Sequence, residues 1–104
     1  MIFRRRRFGD LINRQLVLFV EENGELVREC EAALARYDAA DRDVAEDAYG
    51  DYLDLVETGT EILADMRDRF GQTLGEDDAE QYEAEFNREV AKKLPPFALE
   101  IENR

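Results

Sequence analysis

FGDLINRQLVLFVEENGELVRECEAALARY, residues 8–37, admits two readings, and the fold turns on the choice between them. Asn23-Gly24 is a strong hairpin-turn signal, so 15–20 and 25–29 form a pair of strands on one reading. On the other, Ile12, Leu16, Phe19, Leu26, Cys30, Ala33 and Tyr37 recur every three or four residues, with Asn23 at the missing step. The helical phase passes through Asn23 unbroken, and no third strand is available to complete a sheet. The stretch is therefore read as one helix over about 9–38, kinked at Gly24. Asn23 in the apolar seam has two open roles: fixing the register of a pairing, or capping a break before Gly24.

The same periodicity organises the rest. Ala45, Tyr49, Tyr52, Val56, Gly59, Leu63, Met66 and Phe70 alternate in steps of four and three, which predicts a helix over 43–71. Asp43 and Glu46 have capping-box spacing at its start, and Gly71 and Gly75 mark its end. Gly50 and Gly59 weaken it locally, by up to about 1 kcal/mol each relative to Ala. A shorter helix over 77–94 follows, capped by Asp77 or Asp78, with Tyr82, Phe86 and Val90 on one face and Pro95-Pro96 as its stop. In the tail, 95–104, Phe97, Leu99 and Ile101 alternate with Ala98 and Glu100 and predict an extended segment lying on the helices.

At 104 residues one core is expected. The fold class is all-α: an antiparallel bundle of two long helices, about 40 Å each, and a third of about 25 Å. The third helix is too short to cover the whole length. The end carrying Tyr37, Tyr49 and Tyr52 is left for the tail or for a second subunit, and a homodimer, paired in the manner of a coiled coil, is the expected completion. The four tyrosines, including Tyr82, are read as core or interface edges with wet hydroxyls.

Acidic residues outnumber basic ones by 26 to 14, for a net charge of −12, yet Arg4, Arg5, Arg6 and Arg7 stand together in an arm over 1–8. The body beyond them, near −16, repels phosphate backbones, so no nucleic acid partner is expected. Three roles are open to the arginine run: an arm lying on acidic surface of its own or a neighbouring subunit or staying loose, a DNA arm opposed by the body's charge, and a tether to anionic lipid. Five consecutive apolar residues, 16–20, are too few for a signal core or a membrane span. With one cysteine, Cys30, in an apolar stripe and no internal disulfide, the cytoplasm is the expected location.

There is no His and no Ser, which excludes Cys/His zinc sites, Glu-x-x-His di-iron sites and Ser-His-Asp catalysis. Carboxylate chemistry with Mg²⁺ or Mn²⁺ remains. Glu22, Glu25 and Glu29 fall along one flank of the first helix, and Asp51 is the best-placed acid on the second. The run EENGEL, 21–26, together with Asp51, resembles the MazG-like all-α nucleoside triphosphate pyrophosphohydrolases over roughly 16–97. Glu21, Glu22 and Glu25 match that family's EExxE helix, and Asp51 the final acid of its ExxD helix. Ala48 stands where the second motif needs Glu, which removes one ligand. Asn87 and the Lys92, Lys93, Pro95 ending are similar to the family's C-terminal features. The resemblance implies Mg²⁺ held by Glu22, Glu25 and Asp51 against a triphosphate. Two functions thus stand beside the lipid tether: a non-enzymatic, self-associating scaffold or interaction module without a cofactor, which the composition favours, and a Mg-dependent pyrophosphohydrolase or its inactive relative.

Overall fold

The computed structural model describes residues 7–104, so Arg4, Arg5 and Arg6 of the basic run lie outside the described residues. Five α-helices follow one another, α1 (Gly9–Glu22), α2 (Gly24–Ala39), α3 (Arg42–Gly71), α4 (Glu76–Lys93) and α5 (Ala98–Glu102), with a 3-10 turn at Pro95–Phe97. No strand occurs among the described residues.

Residues 9–38 are not one kinked helix but two. Asn23 leaves helical geometry at φ −126° and ψ 29°, while its side-chain Nδ2 and its backbone N–H both donate to the Phe19 carbonyl, at 3.1 and 2.8 Å. A short amide that bonds back onto the preceding turn competes with the helix, and Gly24 next to it adds little resistance. Of the two roles open to Asn23, the break is the one observed.

The core lies where α1, α3 and α4 meet. Ile12, Leu16 and Phe19 come from α1, Leu63 from α3, and Tyr82, Phe86 and Val90 from α4, all essentially without solvent exposure. Rings of Phe8, Phe70 and Phe86 surround Tyr82 at centroid distances of 5.4, 4.9 and 5.9 Å. Tyr82 donates its hydroxyl to Gln15 Oε1 at 2.8 Å, so it lies inside the core and is no interface edge.

Two terminal signals resolve differently from their sequence reading. The Asp43–Glu46 box does not form: Asp41 precedes the first turn of α3, and no side chain bonds into that end. At α4 the cap position is Gly75, with Glu76, Asp77 and Asp78 in the first turn, where negative charge favours the helix dipole. The larger correction is the tail. It is helical, not extended, because Phe97 and Ile101, four residues apart, share one inward face while Leu99 is 75% exposed. Alternation at 97, 99 and 101 also contains an i, i+4 pair, and that pair is the one the core uses.

Phe97 reaches the core over Gly59. A Cβ at position 59 would collide with the Phe97 ring, 2.7 Å from its Cζ; without one, Phe97 packs edge-on against Phe19 at 6.0 Å. The tail is thereby committed to the middle of α3, remote from Tyr37 and Tyr49.

Candidate interaction surface

α2 packs chiefly on the first half of α3 and gives only Cys30 and Ala33 to the buried set. Burial pushes the Cys30 thiol up, with Glu31 adding to the effect. Beyond Ala33 the two helices continue as an arm with no third layer on them among the described residues, which measure 51 × 32 × 20 Å. At the arm's tip the tyrosine rings pack on one another: Tyr37 on Tyr49 at 5.0 Å and Tyr49 on Tyr52 at 6.4 Å. Tyr37, Val44, Tyr49 and Leu53 are 37 to 54% exposed. Half-burial raises the Tyr52 phenol above its ordinary value, reinforced by Cys30, Tyr49 and Asp38. From residue 38 to residue 54 the chain carries seven carboxylates against the single guanidinium of Arg42. The tip is thus aromatic and strongly anionic at once.

A second apolar surface lies on the outside of α1. Val17, Leu18 and Val20 are exposed, and a groove of about 250 Å³ runs between Val17, Val20, Lys93 and Leu94. The signal for it is the five-residue apolar run 16–20: a helix can turn only part of such a run inward, and Leu16 and Phe19 take that part.

The three carboxylates expected to hold Mg²⁺ are all solvent-exposed, Glu22 at the last residue of α1, Glu25 in the first turn of α2 and Asp51 on α3. The break at Asn23 puts Glu21 and Glu22 on a different helix from Glu25, so the continuous flank that the sequence suggested does not exist. Among the described residues, no group of three or more Cys, Asp or Glu side chains is placed to hold a metal ion. Glu22, Glu25 and Asp51 are thus not brought together as a donor set. Asn87 accepts a hydrogen bond from Arg67 at 3.0 Å, and Lys93 donates to Asn13.

Charges that sequence reasoning missed are those holding the ends of the chain. Arg67 lies on the core side of α3 with 1% of its surface exposed. It donates to Asp68 Oδ1 at 2.9 Å, to Asn87 Oδ1 at 3.0 Å and to the Ile101 carbonyl at 3.1 Å, which ties α5 to α3. Its position four residues after Leu63 in the apolar stripe was the available signal. Glu85, also buried, accepts from the backbone N–H groups of Arg7 and Phe8 at 3.2 and 3.0 Å and from Gln81 at 2.9 Å. A carboxylate of α4 thus serves as the missing cap of α1. Arg7 itself pairs with Asp78 and lies 5.3 Å from the Phe8 ring centroid.

Comparison with protein-family models, with curated proteins and with solved structures finds no match. Among the described residues no helix is long and apolar enough to cross a membrane.

Proposed function

We propose that this protein is a non-enzymatic, self-associating interaction module whose docking surface is the aromatic tip of the α2–α3 arm. The observation that carries this reading is the exposure of Tyr37, Val44, Tyr49 and Leu53 together, at an end that the tail does not reach. Tyrosine supplies contact area at low side-chain entropy cost, and contiguous apolar surface of this kind on a small chain is characteristic of association sites. On this reading the antiparallel helices are completed by another subunit, and the buried thiol of Cys30 suits a reducing, cytoplasmic setting.

Sedimentation equilibrium of the wild type against Tyr37→Ser/Tyr49→Ser tests the reading. The wild type is expected to associate in the micromolar range or tighter, and the double variant to be monomeric with its helix content intact. A monomeric wild type at the highest soluble concentration rejects it.

A further inference from the structure

The tip combines three ring systems with seven carboxylates, and that combination constrains what can cover it. Two tips placed face to face would set carboxylates against carboxylates around each tyrosine cluster, and like charges brought together at an interface disfavour the contact by several kcal/mol. The complementary surface is cationic and planar. A guanidinium satisfies both requirements, since it pairs with carboxylates and stacks on tyrosine faces.

The chain carries one concentration of such groups, Arg4 to Arg7. Covalent reach prevents that run from covering the tip of its own molecule. Phe8 packs on Tyr82, and Tyr82 packs on Phe70, so Arg7 lies beside the far end of α3. From Phe70 back to Tyr49 the helix rises about 32 Å, at 1.5 Å per residue. Arg4 is three residues from Arg7, which is anchored by its backbone N–H on Glu85, and three residues of fully extended chain span at most about 11 Å. Even at full extension those three residues close only about 11 of the 32 Å, so a backbone gap of about 20 Å, roughly half the length of α3, separates the run from Tyr49 of the same copy.

We propose that the tip of the α2–α3 arm docks the arginine run, Arg4 to Arg6, of a second copy of this chain. The proposal rests on the self-association reading and specifies its contact: an aromatic, anionic tip on one copy receives a cationic arm from another. Asp43, Glu46 and Asp47, on the first turns of α3 around the tip, supply the charge; Tyr37 and Tyr49 supply the faces.

Full-length charge reversal tests it by sedimentation equilibrium at low salt. Arg4→Glu/Arg5→Glu/Arg6→Glu is expected to weaken association about tenfold or more, as is Asp43→Lys/Glu46→Lys/Asp47→Lys. An equimolar mixture of the two variants is expected to associate within about threefold of wild type, because each then offers what the other lost. Asp43, Glu46 and Asp47 are exposed, and far-ultraviolet circular dichroism checks that helix content is retained in both variants. A monomeric wild type removes the self-association reading and the proposal with it. A wild type that associates while the arginine variant does so undiminished overturns the docking contact alone. So does a mixture that fails to recover, because weakening would then reflect net charge and not a specific pairing.

Discussion

At Gly59 a missing methyl group sets the position of the whole C-terminal tail. The ring of Phe97 occupies the space a Cβ would take and continues to Phe19 on α1. Gly59→Ala should therefore cost more than helix propensity would suggest, because propensity alone favours Ala by up to about 1 kcal/mol while the clash forces the ring out of the core. The expected net loss is about 1–3 kcal/mol by chemical denaturation, and Phe97→Ala should absorb most of it when the two changes are combined. Gain of stability in Gly59→Ala would show that Phe97 repacks freely. Tyr82 gives a second measurable consequence. Burial pushes its phenol up to about 12, against the lowering effects of the Gln15 hydrogen bond and Arg67. The folded chain thus holds this proton more tightly than the unfolded one, whose value is near 10. That contribution is fully present below pH 10 and is lost as pH rises through 12, on the order of 2 kcal/mol in all. Half-buried Tyr52 shifts in the same direction. Denaturation midpoints measured from pH 9 to 12 should fall through this window, and a flat profile would remove Tyr82 as the cause.

Among the helices, the least expected device is the cap on α1. Glu85, 77 residues downstream of Phe8, accepts from the amides of Arg7 and Phe8, just ahead of that helix's first turn. Glu85→Ala is expected to cost about 1–2 kcal/mol and to speed hydrogen exchange selectively at the start of α1, whereas Glu85→Gln, which keeps an acceptor, should lose roughly half as much. Equal exchange in all three proteins would deny the cap its role. This device also marks the limit of what periodicity reveals. The helical class was legible because Ile12, Leu16 and Phe19, and later Tyr82, Phe86 and Val90, repeat at steps of three and four, and a one-sided core accepts such residues wherever the helices meet. The break at Asn23 was only half legible: the phase does cross it, but a side-chain bond to Phe19 decides the geometry, and spacing carries no information about it. The tail was misread because two periods coexist in five residues, and the choice between them depends on Gly59, almost forty residues earlier. At the candidate site, the tyrosine end was visible as an uncovered length of helix, while the acidic metal flank dissolved once α1 and α2 separated.

Taken together, the protein is a small core with a long projection, and α3 runs through both, with α2 alongside it giving Cys30 to the core and Tyr37 to the tip. Among the described residues nothing outside the arm covers its tip, whereas Leu63, farther along the same helix, is fully buried. The link between α2 and α3 is only Ala40 and Asp41, set at the far tip and making no core contact. Cutting the backbone there would leave two pieces: one holding Ile12, Leu16 and Phe19, the other holding Leu63, Tyr82, Phe86 and Phe97. Neither has a finished interior alone, and together they have the same one as before, so the halves should recombine when produced as separate polypeptides. A reporter divided between them would then light up on mixing, turning an inert connector into a point of control.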